Sequence, residues 1–312
     1  MSGYDLAYIA LAVRDSAAVE EVLGVDLALT RYEVEAPGGA VVAYGIGRTA
    51  LALFETGHAF LTGRIETGVD HIALVAEDPE ADVRRHALPA AAGRAPDGID
   101  GGRQVAVDPD ATGLALRFCT PLGLSGDASR FVERVDHVGI ASVDNAAAER
   151  LYVDRLGCPL ESRQTDMEVR LTVESFTSDK YGAVYHSRPP EPVGGLCVSF
   201  VTTGDCELEF LQDYDPSHGA DVLHGSPGTT KQDQGAIGRF VARHGAGLHH
   251  IALKTGDIDG ALAHLAGRGR RLIDSVGRPG SRRSRIGFVH PAALGGVLLH
   301  FVERQEIGHA EA

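Results

Sequence analysis

No apolar run in this sequence approaches the ~20 residues that a membrane span requires, so no membrane partner is expected. The first residues, "MSGYDLAYIALAVRDS", lack a basic leader and reach Arg14 and Asp15 early, which does not read as a secretory signal. Only four cysteines occur (Cys119, Cys158, Cys197, Cys206), none in CxxC spacing. They read as free buried thiols of a reducing cytosol, which excludes a disulfide framework and predicts a cytoplasmic protein. Positive charge is scarce: 29 Lys and Arg face 43 Asp and Glu, a net charge of -14. A nucleic-acid or anionic-membrane partner would need a basic face, so the expected partner is a small molecule. Tryptophan is absent. What remains is ordinary for a globular chain: 44% hydrophobic and 23% charged residues in 312, with 39 glycines, enough for one large or two medium domains.

One phrase occurs four times. "GVDHIALVAED" begins at Gly68, "RVDHVGIASVD" at Arg134 and "GAGLHHIALKTGDI" at Gly245. In each a histidine (His71, His137, His250) precedes a short apolar alternation and then an acidic residue. A degraded copy, "DLAYIALAVRD" from Asp5, has Tyr8 in place of the histidine. Each copy reads as a strand followed by a helical pattern. The clearest helices are "DNAAAERLYVDRLG" and "GDIDGALAHLAGRG", both stopped by glycine. Further strand-like runs follow: "GAVVAYGIG", "TALALFE", "GRQVAVDP" and "GLALRFC" in the first half, "MEVRLTVESF", "GGLCVSFVTT", "CELEFLQ", "RIGFVHP" and "GGVLLHFVER" in the second. Each unit reads β-α-β-β-β. The expected fold is α+β, with tandem modules at residues 1–122 and 133–306 joined by the polar "LGLSGDASR", each an open sheet curled around a cleft.

Strict alternation sends His249 and His250 to opposite faces, and register with the other copies selects His250 for the cleft. His249 is then a packed or hydrogen-bonded structural residue. The last strand carries Glu303 among apolar residues, and a carboxylate there is costly unless paired or ligated. His137, His250 and Glu303 together offer two imidazoles and a carboxylate to a divalent metal. Glu207 and Glu209 share one side of "CELEFLQ". They are either a solvated face or, for Glu209, a fourth ligand. The first module aligns Tyr8 with His137, Ala52 with Glu209 and Thr120 with Glu303, so only His71 survives there. That module is expected to bind no metal and to shape the cleft or a dimer contact.

At this point the chain resembles the vicinal oxygen chelate superfamily. The phrases "RVDHVGIASVDNAAAERLYVDRLG", "LHHIALKTGDIDGALAHLAGRGRRLID" and "RIGFVHPAALGGVLLHFVE" are similar to methylmalonyl-CoA epimerases. The resemblance implies βαβββ modules around a divalent metal (Zn, Co, Ni, Mn or Fe), with His137, His250, Glu303 and Glu209 as ligands. It also implies Glu168 as an acid near the site, alongside Glu303 and Glu209 as candidate catalytic groups. Single-module epimerases lack the first module and the insertion "VESFTSDKYGAVYHSRPPEPVGG", both of which are expected to close the cleft over a small substrate. Tandem-module relatives include cyclitol epimerases similar to 2-epi-5-epi-valiolone epimerase, and 4-hydroxyphenylpyruvate and extradiol dioxygenases.

The expected activity is epimerisation at a carbon beside a carbonyl through an enolate, on a cyclitol ketone or an acyl-CoA, by a homodimer. A non-haem Fe(II) dioxygenase is the alternative. Against it, the chain ends nine residues after Glu303, without the C-terminal helix that closes such sites. A metal-free sequestering protein is the third reading, disfavoured by the His and Glu set. The arginine-rich "RPGSRRSRIG" reads as a solvated loop or as a phosphate-binding element.

Overall fold

The computed structural model describes residues 3–63, 66–92, 97–213 and 235–304, with backbone only at 167–168 and 192–193. The fold is α+β and is built as two tandem curled sheets. The first module contains β1 (Leu6–Val13), α1 (Ser16–Glu20), β2 (Thr30–Ala36), β3 (Gly39–Ile46), β4 (Thr49–Glu55), β5 (Gly68–Val75), α2 (Pro79–Arg85), β6 (Gln104–Val107), α3 (Pro109–Thr112) and β7 (Leu116–Cys119). The second contains β8 (Arg134–Ser142), α4 (Asn145–Glu149), β9 (Leu160–Arg170), β10 (Val173–Ser178), β11 (Gly182–Ser187), β12 (Glu191–Thr203), β13 (Cys206–Asp213), α5 (Ala236–His244), β14 (Gly247–Lys254), α6 (Ile258–Gly267), β15 (Arg278–Pro279), β16 (Arg285–Val289) and β17 (Leu299–Glu303). The sheet orders are β2-β3-β4-β1-β5-β7-β6 and β15-β16-β17-β14-β8-β13-β12-β9, and β10 pairs only with β11.

The repeated phrase has a structural cause. Its strands β1 and β5, and likewise β8 and β14, are the central antiparallel pair of each sheet. The acidic residue that closes each copy is an N-cap: Asp15, Asp78, Asp144 and Asp257 accept from the amides of Ala18, Ala81, Ala147 and Gly260. A helix starting there has unsatisfied amides, and an aspartate at the cap position serves one of them. At the other end, Gly157 and Gly269 take φ of 74° and 77°, the left-handed turn that stops the chain from continuing as helix.

Each central strand also carries one extra residue. Ala7, Asp70, Asp136 and His249 are skipped by the pairing on their neighbouring strands, so each is bulged. Every bulge lies immediately before Tyr8 or one of the three repeat histidines.

The helix-facing sides of both sheets share one core, in which Ile9, Leu11 and Leu23 belong to the same cluster as Val138, Tyr152 and Phe301. The cleft side of the first sheet is itself a packed cluster containing Tyr8, Ala52, Phe54 and Phe60. The corresponding cluster of the second module is small, with Ala141, Val198, Phe200, Leu211 and Ile237. One cleft has therefore been filled with side chains and the other has not. The insertion forms the hairpin β10–β11 and leaves Phe176, Tyr181 and Tyr185 exposed. No described helix is long and apolar enough to cross a membrane.

Candidate metal centre

The second cleft encloses about 360 Å³. Its floor is formed by His137 on β8, Glu209 on β13, His250 on β14 and His300 on β17. All four are buried, at 4–5% exposure. The ring nitrogens of His137, His250 and His300 lie within 4.8 Å of one another, the one such trio among the described residues. Nε2 of His137 is 3.2 Å from Nε2 of His300 and 3.2 Å from Glu209 Oε2, while His250 Nε2 is 3.4 Å from that same oxygen.

The approach to His250 depends on Gly139. A Cβ built there would collide with the His250 ring, so any larger residue would displace the imidazole. The bulge at Asp136 sets the carboxylate beside His137, with Oδ1 2.8 Å from Nδ1. Asp136 is held in turn by Arg304 at 3.1 Å, Arg282 at 3.5 Å and Arg134 at 3.8 Å. Burial alone would raise the Asp136 pKa, but His137, Arg304 and Arg134 bring it well below the usual carboxylate range. Burial would also lower that of His137, but the Glu209 and Asp136 carboxylates raise it to about 9. Burial holds His250 and His300 low, and the neighbouring imidazoles push them the same way.

Several expectations are corrected. His249 does not turn away from the cleft. Its bulge suspends the alternation, so both adjacent histidines line the cavity, with their Nδ1 atoms 2.9 Å apart. Glu303 is not in the cluster. On β17, His300 and Val302 line the cavity, while Phe301 and Glu303 have the opposite parity, and Phe301 is in the shared core. The Glu303 carboxylate accepts from the Ile258 amide at 3.0 Å, at the start of α6, and pairs with Arg285 at 3.2 Å. The position expected for Glu303 is filled by His300. The side chain of Glu168 lies outside the described residues. Among the described residues, neither the first module nor the hairpin contributes to the cavity wall; α5 and the loop around Arg278–Ile286 do.

Strand pairing places Tyr8, Ala52, His71 and Arg117 of the first module at the positions of His137, Glu209, His250 and His300. Thr120, past the end of β7, falls at the Glu303 position, outside this quartet. His71 retains a bulged partner, Asp70, 2.6 Å from its Nδ1, and Tyr8 Oη is 3.1 Å from its Nε2. The buried Arg117 guanidinium lies 4.6 Å from the centre of the Phe60 ring and donates to the Phe60 carbonyl. An arginine and a tyrosine thus occupy the ground that imidazoles hold in the second module.

Residues 136–288 match the family described as the Glyoxalase/Bleomycin resistance protein/Dioxygenase superfamily. The second module is a domain of this superfamily, the vicinal oxygen chelate fold. Among curated relatives, the mitochondrial methylmalonyl-CoA epimerase of Dictyostelium discoideum is 26% identical over 131 residues, 40% of this chain and 69% of that protein. The uncharacterized protein YqjC of Bacillus subtilis is 24% identical over 180 residues, 58% of this chain and 99% of that one. A mutant of 4-hydroxymandelate synthase from Streptomyces coelicolor superposes with a TM-score of 0.59 at 16% identity, covering 98% of this chain and 94% of that chain. That likeness shows the fold, and it extends the vicinal oxygen chelate architecture across both modules.

Proposed function

We propose that the protein is a metal-dependent epimerase acting at a carbon next to a carbonyl, with one divalent ion held by His137, His250, His300 and Glu209. The observation that carries this reading is the donor set. Three imidazoles and a carboxylate converge in an apolar pocket, and the buried His250 Nε2 lies 3.4 Å from the Glu209 carboxylate without forming a hydrogen bond of good geometry. Imidazole and carboxylate donors suit a first-row divalent ion such as Zn, Co, Ni, Mn or Fe. Such an ion, when bound, polarises a carbonyl oxygen and stabilises the charge that develops there.

The protein's own groups supply the rest. Asp136 accepts from His137 Nδ1–H and so keeps Nε2 directed into the cluster. His249 does the same for His250 when its Nδ1 is the acceptor. The proton between His137 Nε2 and Glu209 must leave when a ligand takes that place. Glu209 is the one carboxylate on the cavity wall among the described residues, which makes it the candidate proton acceptor as well as a ligand; Glu168 is the second candidate. The apolar wall of Leu196, Phe200, Ile273 and Phe288 excludes water from a carbanion-like intermediate.

A homodimer in the cytoplasm is part of the same proposal. The exposed aromatic residues of the β10–β11 hairpin support the first, and the four free cysteines support the second. Metal analysis of protein purified without chelator, followed by hydrogen exchange in deuterated water on a panel of ketones and acyl-CoAs, tests the chemistry. Oxygen-independent deuterium incorporation beside a carbonyl is expected. A strict need for iron and dioxygen would replace this reading with an oxygenase, and absence of both metal and exchange would favour a binding protein.

A further inference from the structure

The loop between α6 and β17 carries the arginine-rich motif, and it forms one wall of the cavity. Arg278 and Arg282 line that wall, and Arg304, just past β17, lines the cavity beside them. Their acidic partners Asp136, Asp274 and Glu207 do not; they hold the guanidinium groups from behind.

The three arginines are not equivalent. Arg282 holds internal contacts with Glu207 at 2.6 Å, Glu161 at 2.8 Å and the Phe200 ring at 3.5 Å, and its unpartnered buried nitrogen is Nε, on the stem of the guanidinium instead of its fork. Its backbone and that of Arg283 take φ of 54° and 55°, a left-handed pair that non-glycine residues rarely adopt. The Arg282 amide is pinned by Gln164 Oε1 at 2.8 Å. Arg282 therefore fixes the shape of the wall. Arg304 is shared between Asp136 and Glu207.

Arg278 has a different set of contacts. Its Nε donates to both oxygens of Asp274 at 3.1 Å, and that carboxylate also accepts from the Phe288 amide. Arg278 Nη1 is buried with no hydrogen-bond partner among the described residues. A buried guanidinium nitrogen without an acceptor is costly, and a carboxylate is the acceptor whose two oxygens match the guanidinium fork. Arg278 stands 5.4 Å from the centre of the Phe288 ring, and that ring is 4.5 Å from the His300 ring, so the guanidinium lies within about 10 Å of the histidine cluster.

We infer that the substrate is a small carboxylic acid whose carboxylate docks on Arg278 while its carbonyl reaches the histidines, with an apolar body against Phe288 and Phe200. This rests on the epimerase reading for the carbonyl end and adds the anionic end. It excludes a neutral polyol, and it limits the distance between the two polar ends to what the Phe288 ring spans.

The test is calorimetric titration of the full-length, metal-loaded protein with 4-oxo-4-phenylbutanoate, its methyl ester, phenyl phosphate and coenzyme A. The acid is expected to bind at least tenfold tighter than the ester. Arg278→Gln is expected to weaken the acid tenfold or more and the ester less than twofold. Arg278→Lys, which keeps the charge, is expected to retain part of the preference, and the melting temperature of each variant checks folding. Equal binding of acid and ester, no binding of either, or parallel losses for both in Arg278→Gln would overturn the inference. Tighter binding of phenyl phosphate or coenzyme A than of the acid would also overturn it, by assigning the arginine to a phosphate. The two readings fail separately: preference for the acid without hydrogen exchange removes the epimerase, and exchange on neutral ketones without that preference removes the carboxylate.

Discussion

His249 and His250 are neighbours in sequence on one strand, yet their Nδ1 atoms stand 2.9 Å apart on the same side of the sheet. The bulge at His249 makes this possible, and it gives His250 the kind of neighbour that Asp136 is to His137. Outer partners of metal-binding imidazoles set tautomer and orientation, and their loss typically weakens metal binding ~10–100-fold. His249→Ala is therefore expected to lower metal affinity by about that factor without unfolding the protein. Competition against a chromogenic chelator measures it; unchanged affinity would assign His249 to packing alone.

His300 and Glu303 give opposite expectations. His300→Ala should strip most of the metal, whereas Glu303→Gln should leave it in place and cost at most about 1 kcal/mol through the lost ion pair with Arg285, since the glutamine oxygen can still accept from the Ile258 amide. His71→Ala should leave metal content unchanged. Elemental analysis beside urea unfolding separates the three, and loss of metal from Glu303→Gln would restore that residue to the cluster.

Gly139→Ala places a methyl group where the His250 ring now lies. It is expected to reduce bound metal to a small fraction with the fold retained. Circular dichroism and elemental analysis on the same sample decide it.

Asp26 joins the modules. Its carboxylate, buried in the first module, receives Arg268 at 2.7 Å and Arg270 at 2.6 Å from the second. Burial opposes ionisation, but the two arginines prevail and hold the Asp26 pKa below its ordinary value. A depressed carboxyl stabilises fully above the unfolded value of about 3.9 and loses that contribution as pH falls through the folded one. Asp26→Asn is expected to cost about 1–3 kcal/mol at pH 7 and progressively less as pH falls below the unfolded carboxyl value of about 3.9. Urea midpoints across that range measure the gap, and a gap that stays open in acid would contradict the ion-pair account.

The first module can be rebuilt as a metal site. Tyr8→His, Ala52→Glu and Arg117→His together restore the quartet around His71, and bound metal is expected to rise from one to two ions per chain. Elemental analysis of the triple variant alone, and combined with His250→Ala, checks where the second ion resides.

Much of the fold was legible in the sequence because its signals are local. The strand alternation, the aspartate caps and the terminal glycines all act within a few residues of where they are read. The alignment of Tyr8 and Ala52 with His137 and Glu209 matches the strand pairing for the same reason. The placements of Glu303 and His249 are not legible in the sequence because they depend on strand phase. Glu303 has the parity of Phe301, so it faces α6, and the chemical type of a carboxylate does not reveal its strand phase. A signal for His300 was present: Arg117 stands at the same place in "GLALRFC" as His300 does in "GGVLLHFVER", a polar residue inside an apolar strand in both modules. His249 could not be placed, because a bulge is a property of pairing with a distant strand, here β8, and alternation within β14 does not reveal it. The role expected of the insertion failed for a similar reason: its β10–β11 hairpin pairs with itself, its last residues extend β12 along β9, and none of its described residues lines the cavity.

The four bulges hold Ala7, Asp70, Asp136 and His249, an apolar residue, two acids and an imidazole at one structural position. Because the bulged residue stands outside the regular ladder, it can change without shifting the core-facing residues on either side. Duplication of the unit thus copied an adjustable position along with each histidine. A chain that carries such a position in every repeat can retune the basicity and aim of one imidazole at a time, leaving the other three copies and the shared core as they were.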